Sequence, residues 1–270
     1  MSHIFSKEEI FDQLRSLGVP DDKPVAVHTS LKAAGEVEGR GEGFLEILIE
    51  YVTSGGGLLC IPTHTWHRCG GSGQLTLDVC SDDVCIGTLP KIAVTYKNVH
   101  RTLNPTHSMA VFGNHEQAEA FAALDESLYS SSDPKGCLGS FIGLDGYILL
   151  IGVGQEKNTF LHVVEDMNHV SNRLSENPYP ASVRLADGSI IEKPLKLIAP
   201  VGIGDVSQNY PKLEPAFRLG GAIKYGKIGN AETQLCSAAA MAEIFSGIIT
   251  RAKGKELFAD ASPLPEELYR

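Results

Sequence analysis

Short apolar runs alternate with amphipathic segments over much of the chain, and this alternation constrains the fold more than any other feature of the sequence. The apolar runs, each of strand length, are 24–31, 57–63, 108–113 and 146–153. The segments with helical spacing are 6–17, 41–52, 85–96 and 116–124. Strands that alternate with helices in this way predict an α/β fold, layered α/β/α, with a central sheet that is largely parallel or mixed.

The pattern changes in the last third of the sequence. An Asp-Gly pair lies between two β-rich runs at 182–198, which predicts a hairpin. The stretch 223–249 begins with strand-like residues and predicts a helix from about Ala231. No linker rich in Pro or Ser separates the two parts, so we expect a single domain over 1–270 with a β-rich C-terminal appendage at about 172–230.

Charge and the N-terminal residues narrow the classes of function. The chain has 23 Lys and Arg against 33 Asp and Glu, a formal net charge of −10. Nucleic acids and anionic membranes attract basic surfaces, so we expect neither as a partner, whereas a cationic small molecule is compatible with this charge. The N-terminal residues include early acidic side chains and no apolar stretch, which predicts a cytoplasmic protein without a signal peptide.

Polar clusters follow three of the predicted strands. They are 28–32 (HTSLK), 62–67 (PTHTWH) and 154–162 (GQEKNTFLH), and a fourth cluster, 104–108 (NPTHS), leads into a strand. In layered α/β folds the ligand lies beyond the carboxyl ends of the strands. The sequence therefore predicts that these four clusters carry the chemistry.

One of these clusters leads into a histidine–glutamate pair. Asn158 or Thr159 can cap a helix that has His162 in its first turn and Glu165 on the same face. Such a histidine can act as a general base, and a carboxylate, Glu165 or Glu156, can orient its ring. Spacing alone favours an ordinary pair on a helix surface, but the position directly after the most apolar strand favours catalysis.

The cluster at 104–108 offers groups that bind a carbonyl oxygen. Pro105 keeps the preceding residue extended, so that Thr106, His107 and Ser108 present polar atoms just before a buried strand. Hydroxyl and amide groups there could bind a carbonyl or an oxyanion. A plain turn with a core histidine is the alternative interpretation.

Several common catalytic motifs do not occur in the sequence. There is no GxGxxG fingerprint and no phosphate-binding GxxxxGK[ST] loop. There is also no GxSxG nucleophile elbow, which disfavours a covalent acyl-enzyme and leaves direct transfer from a thioester donor. The small residues at 30–35 (SLKAAG) would let such a ligand approach the backbone closely.

The cysteines and histidines between 64 and 85 provide an alternative of a different class. Without an export signal, the six cysteines of the chain are expected to be thiols. A zinc-binding module could be built from His64, His67, Cys69, Cys80 and Cys85. Their spacing does not match the paired CxxC pattern of structural zinc sites, so we expect no metal.

Taken in order, several segments resemble the antibiotic N-acetyltransferase family, typified by the aminoglycoside 3-N-acetyltransferases. The matching segments are 27–35 (VHTSLKAAG), 56–66 (GGLLCIPTHTW), 87–90 (GTLP), 101–113 (RTLNPTHSMAVFG), 133–154, 158–165 (NTFLHVVE) and 225–235 (YGKIGNAETQL). The resemblance covers most of the chain, and the order and spacing of its segments are more specific than any single motif.

The resemblance implies acetyl transfer from acetyl-CoA to the 3-amino group of an aminoglycoside, with the appendage helping to form the acceptor site. His162 would be the general base and Glu165 its carboxylate partner. The acetyl end of CoA would lie against Thr106–Ser108 and against Ser30, Leu31, Lys32, Ala33, Ala34 and Gly35. A different small amine is the alternative acceptor, and a homodimer is compatible with the resemblance.

Overall fold

The computed structural model describes residues 3–69 and 75–270. The strands are β1 (Ile4–Phe5), β2 (Pro24–Thr29), β3 (Glu36–Val37), β4 (Leu58–Pro62), β5 (Leu75–Asp78), β6 (His100–Arg101), β7 (Met109–Phe112), β8 (Tyr147–Ile151), β9 (Ala181–Arg184), β10 (Ile190–Glu192), β11 (Ile223–Ile228) and β12 (Ala231–Ser237). The α-helices are α1 (Lys7–Leu17), α2 (Leu31–Ala34), α3 (Arg40–Thr53), α4 (Thr88–Val94), α5 (His115–Ala123), α6 (Cys137–Ser140), α7 (Phe160–Met167), α8 (Glu214–Leu219) and α9 (Ala238–Ala252).

A mixed sheet lies at the centre of the fold. Within the described ranges it has seven strands in the order β11-β12-β8-β2-β4-β7-β6. Strand β2 pairs parallel with both β4 and β8, while the pairs toward each edge are antiparallel. The predicted α/β fold with a mixed central sheet is confirmed.

Helices cover both faces of this sheet. Along β8, Ile148 and Leu150 belong to the core shared with α7 and α9, whereas Leu149 and Ile151 belong to the core beneath α1 and α3. Successive side chains of a strand point to opposite faces, so a strand between two layers of helices is apolar at every position. This explains why the predicted strands read as continuous apolar runs.

Helix α1 shows how local sequence sets a boundary. Ser6 accepts a hydrogen bond from the Glu9 amide and the Glu9 carboxylate accepts one from the Ser6 amide, which completes a capping box. Gly18 ends the helix in the left-handed conformation, at φ 81°. Both boundaries agree with the helix predicted from the sequence.

The helix predicted from about Ala231 begins seven residues later than expected. Residues Ala231–Ser237 form β12 instead, paired with β8 on one side and β11 on the other. Helix α9 starts only after Ser237, whose side chain accepts a hydrogen bond from the Ala240 amide. Pairing with two strands outweighs the helical propensity of residues such as Ala231, Glu232 and Leu235, and the Ser237 cap fixes the true start.

The segment predicted as a β-rich appendage contains several kinds of structure. Strands β9 and β10 form the predicted antiparallel hairpin, and β9 also pairs parallel with β5 in a separate three-stranded sheet. Residues 206–219 are helical, and β11 joins the central sheet. None of the helices in the described part of the chain is long and apolar enough to span a membrane.

Candidate active site

A cavity of about 900 Å³ opens beyond the carboxyl ends of the middle strands. The end of β2 contributes residues 27–29 and the end of β4 contributes Pro62. The loop after β8 contributes 156–159, and the segment preceding α8 contributes 197–200, 204–205 and 207–208. The cavity therefore lies where a layered α/β sheet is expected to hold its ligand.

His162 lies at this cavity in the first turn of α7. The turn is set by the loop before it, because the Leu161 amide donates to the Asn158 carbonyl and the His162 amide donates to the Thr159 carbonyl. Most of α7 is buried, and the His162 side chain is 10% exposed, at the cavity wall. His162 lies in the first turn of the helix as predicted. Thr159 occupies the N-cap position, but its side chain makes no capping hydrogen bond, so backbone hydrogen bonds and not the predicted side-chain cap begin the helix.

Two side chains hold one edge of the His162 ring. The Tyr210 hydroxyl lies 2.7 Å from His162 Nδ1, and it donates a hydrogen bond of 2.6 Å to Glu165 Oε2. Glu165 Oε2 is itself 3.4 Å from His162 Nδ1. The two residues predicted as base and carboxylate partner therefore lie together, with the Tyr210 oxygen between them.

Glu165 is buried and carries an ion pair on its other oxygen. Arg173 Nε donates to Glu165 Oε1 at 2.6 Å, and the Arg173 guanidinium also binds both carboxylate oxygens of Glu256 at 2.8 Å. Burial alone would raise the pKa of Glu165. The hydrogen bond and charge of His162, the charge of Arg173 and the hydrogen bond of Tyr210 outweigh burial and lower that pKa. Glu165 is therefore a carboxylate.

Three other histidines line the cavity. Burial lowers the pKa of His28 to about 4, and burial together with the charge of His162 lowers the pKa of His107 to about 3. His64 stacks edge-on against His107 with ring centroids 4.6 Å apart, and burial followed by its histidine neighbours lowers its pKa. At neutral pH these three rings are uncharged and can bind polar groups without adding positive charge.

Few charged groups line the cavity. Its carboxylates are Glu156 and Asp205, and its one lysine is Lys157, counted over the described residues. Glu156 accepts a hydrogen bond of 3.2 Å from the Gly154 amide of its own loop, so in the described structure it bonds to this amide and not to the His162 ring. Asp205 caps the 3-10 segment that carries Tyr210.

The predicted donor-binding residues fall into two groups. Thr106 and His107 line the cavity, and the Thr106 hydroxyl lies 2.8 Å from His107 Nδ1. Ser108 is fully buried, and its hydroxyl is bonded to the Thr63 carbonyl and hydroxyl and to Arg101. The structure therefore places Ser108 behind the cavity wall rather than on it.

The segment predicted to bind CoA through residues 30–35 forms the short helix α2. Ser30 caps it by accepting a hydrogen bond from the Ala33 amide, and the Ser30 amide donates to the Ile151 carbonyl. The lining of the cavity next to this helix comes from β2, where Thr29 Oγ1 and His28 Nε2 are buried without a partner in the described structure. The remaining residues are not among those that line the cavity: Ala34 is buried, Lys32 is exposed, and Leu31, Ala33 and Gly35 are half-buried.

The proposed zinc ligands do not converge. No group of three or more His, Cys, Asp or Glu side chains suited to a metal ion occurs within 3–69 and 75–270. Cys85 donates to the His64 carbonyl, and His67 lies 3.2 Å from Asp83. Part of the loop, 70–74, lies outside the described residues, and its sequence GGSGQ contains none of the four ligand types.

The described fold is shared with solved structures of acetyltransferases. A mutant of aminoglycoside acetyltransferase AAC(3)-IVa in complex with a gentamicin superposes with a TM-score of 0.77 at 23% identity, over 94% of this chain and 91% of that one. AAC-IIIb, solved as a binary complex with CoASH, superposes with a TM-score of 0.73 at 18% identity, over 93% and 97%. The fold is that of the aminoglycoside acetyltransferases.

The sequence comparisons identify the family. Residues 26–249 match the model of the aminoglycoside 3-N-acetyltransferase family, and the chain belongs to that family. It is 29% identical over 170 residues to aminoglycoside N(3)-acetyltransferase IV of Salmonella sp, a match that spans 63% of this chain and 62% of the relative. It is 24% identical to aminoglycoside N(3)-acetyltransferase III of Pseudomonas aeruginosa, over 85% and 88%. At the level of the family, the prediction of an acyltransferase that uses acetyl-CoA is confirmed.

Proposed function

We propose that this chain transfers the acetyl group of acetyl-CoA directly to the 3-amino group of an aminoglycoside, with His162 as the general base. The observation that carries the proposal is the position of His162: Tyr210 and Glu165 hold one edge of its ring, and the residue lines the cavity of about 900 Å³. Family membership supports the reaction class, and the CoASH complex of AAC-IIIb supports the donor.

The residues at the cavity suit an acetyl thioester. A thioester is uncharged at its reacting end, and the surrounding His28, His64 and His107 are uncharged as well. Thr29 Oγ1 and His28 Nε2 are buried polar atoms that lack a partner in the described structure, and both residues line the cavity. Such atoms are suited to hydrogen bonds with the amides of a pantetheine arm.

His162 would take one proton from the amine and later give it to the sulfur of CoA. An amine attacks as the neutral base, so His162 Nε2 accepts the proton that the nitrogen loses as the new C–N bond forms. The C–S bond of the thioester breaks in the same reaction, and His162 returns the proton to the departing sulfur. Glu165 stabilises the imidazolium that exists between these two transfers. The products are an amide and a thiol, and His162 ends as it began.

A small amine with few charges is a second candidate acceptor, favoured by one observation. Glu156 and Asp205 are the only carboxylates that line the described cavity, and Lys157 offsets one of them. Residues 70–74 contain no acidic side chain that could add to this number. An aminoglycoside carries several ammonium groups, whereas a monoamine or diamine needs only one or two partners.

Release of CoA from acetyl-CoA tests both candidates. Purified enzyme is given gentamicin- or kanamycin-type acceptors in one series, and monoamines and diamines in another. Turnover with the aminoglycosides supports the first candidate, and turnover confined to the simple amines supports the second. Absence of turnover in both series, with acetyl-CoA bound, would contradict N-acetyl transfer.

A further inference from the structure

The Tyr210 hydroxyl has a single hydrogen but two polar neighbours. It lies 2.6 Å from Glu165 Oε2 and 2.7 Å from His162 Nδ1, and its ring is fully buried. Burial, followed by the charge and hydrogen bond of Glu165, raises the pKa of Tyr210 well above its usual value, so the hydroxyl keeps its hydrogen. That hydrogen can be given to only one of the two neighbours.

The ion pairs around Glu165 decide which neighbour receives it. Arg173 is 4% exposed and binds Glu165 Oε1, and Glu256 holds the other end of the same guanidinium. Glu165 is therefore ionised and can only accept hydrogen bonds. If Tyr210 donated to His162 instead, its oxygen would face a carboxylate oxygen at 2.6 Å with no hydrogen between them, which is repulsive.

The hydrogen on the histidine follows from this arrangement. Since Tyr210 donates to Glu165, its oxygen offers a lone pair to His162 Nδ1, and a contact of 2.7 Å needs a hydrogen on that nitrogen. A neutral imidazole carries one hydrogen, so Nε2 is left with a lone pair. Nε2 has no hydrogen-bond partner in the described part of the chain and is the ring nitrogen left for the cavity.

We propose that Tyr210 is a positioning residue that fixes His162 in the Nδ1–H tautomer. The series of ion pairs Glu256–Arg173–Glu165 keeps the hydrogen of the Tyr210 hydroxyl directed at Glu165. Its catalytic consequence rests on the proposed function, because this tautomer presents the Nε2 lone pair to the attacking amine. Tyr210 does not touch the reacting atoms. It acts through the ring, as partners of a catalytic histidine commonly do.

Nitrogen NMR of the wild-type protein tests the tautomer without any substrate. With ¹⁵N-labelled histidine, long-range ¹H–¹⁵N spectra distinguish a protonated Nδ1 from a protonated Nε2. Among the nine histidines, His162 is assigned by the signal that is missing in His162→Gln. We expect the neutral ring to carry its hydrogen on Nδ1. A hydrogen on Nε2 would overturn the proposal, and this holds whichever amine the enzyme uses.

The Tyr210→Phe variant tests the role of the hydroxyl. We expect a fall in kcat of about 10- to 100-fold with an unchanged KM for acetyl-CoA, by analogy with the loss of hydrogen-bond partners of metal-ligating histidines. The His162 spectrum should then show a mixture of tautomers. Tyr51→Phe is the matched control, because that buried hydroxyl binds only the Val19 carbonyl at 3.1 Å in a different core, and its removal should leave kcat and the spectrum unchanged.

Wild-type kcat and an unchanged His162 spectrum in a folded Tyr210→Phe protein would also overturn the proposal. If that variant does not fold, the wild-type spectrum alone decides. If the wild-type ring carries Nδ1–H but no amine is acetylated, the tautomer assignment stands and the proposed function fails.

Discussion

Arg173 Nε lies 2.6 Å from Glu165 Oε1, and the same guanidinium binds Glu256 through both of its other nitrogens. The segment after α9 is thereby tied to the carboxylate beside His162. Burial opposes the charge of Arg173, but its hydrogen bond to Glu256 and the neighbouring carboxylates raise its pKa above the usual value. All three groups are charged. The ion pairs that stabilise the folded protein therefore also hold the carboxylate beside His162.

Breaking this network should destabilise the protein strongly. Arg173→Met removes the cation and leaves the buried Glu165 charge without its partner, which typically costs about 3 to 5 kcal/mol. Urea unfolding measures the change. Arg15→Met is the control, because Arg15 pairs with Asp12 at 2.7 Å on the surface, where such a pair contributes less than about 1 kcal/mol. Equal effects of the two substitutions would show that the buried pair is not structural.

The buried histidines should make stability fall as the pH is lowered. His28 and His107 have pKa values of about 4 and about 3 in the folded protein, whereas in an unfolded chain they titrate near 6.5. Below pH 6.5 the unfolded chain binds more protons than the folded one, so protonation favours unfolding until the folded pKa is reached. From pH 7.5 to 5.0 we expect each to reduce the unfolding free energy by on the order of 2 kcal/mol.

Urea unfolding at the two pH values checks this, with the histidines replaced one at a time. His107→Gln should remove its share of the pH dependence, whatever the variant does to stability at pH 7.5. His115→Gln serves as a control, since the His115 side chain is 76% exposed. Identical pH dependence in wild type and His107→Gln would contradict the assignment of a buried neutral ring.

Gly152 allows the end of β8 to approach α2. Its φ is 65°, and a Cβ at this position would lie 2.4 Å from the Cβ of Ala33. We expect Gly152→Ala to cost about 3 kcal/mol, the sum of left-handed backbone strain and overlap with a packed side chain. Gly202→Ala isolates the strain, because Gly202 has φ 77° with nothing within 4 Å of the added Cβ, and about 1 kcal/mol is expected. Equal losses, measured by urea unfolding, would remove the packing explanation.

The single tryptophan of the chain should report on ligand binding. Trp66 lies at the cavity and is 48% exposed. A ligand that fills the cavity removes water from the indole, so we expect the emission to shift to shorter wavelength during a titration with CoA. Trp66→Phe should abolish the signal while calorimetry still detects binding. An emission spectrum that does not change at saturating CoA would place the donor away from Trp66.

Local sequence determined much of the site and part of the fold. The strand at 146–153 and the spacing of His162 and Glu165 are short-range features, and the structure contains both. Such features depend on residues within one or two helical turns. They can be predicted from the sequence without knowledge of the tertiary fold.

Features that depend on distant segments could not be predicted in this way. Tyr210 is 48 residues from His162 and Glu256 is 83 residues from Arg173, and only the folded chain brings these pairs together. Residues Ala231–Ser237 became a strand because β8 and β11 lie on either side of them. The sequence likewise indicated that the Ser108 hydroxyl could bind a ligand, but this hydroxyl is hydrogen-bonded to Thr63 and Arg101 in the core.

The proposed reaction depends most directly on His162 as the base. The decisive measurement is the rate of CoA release by His162→Gln with the best acceptor, alongside calorimetric CoA binding and a Tyr51→Phe control. We predict a loss in kcat of roughly 100- to 10,000-fold with CoA binding retained, since general-base catalysis contributes about that much. Turnover at the wild-type rate in a folded His162→Gln protein would show that His162 is not the general base.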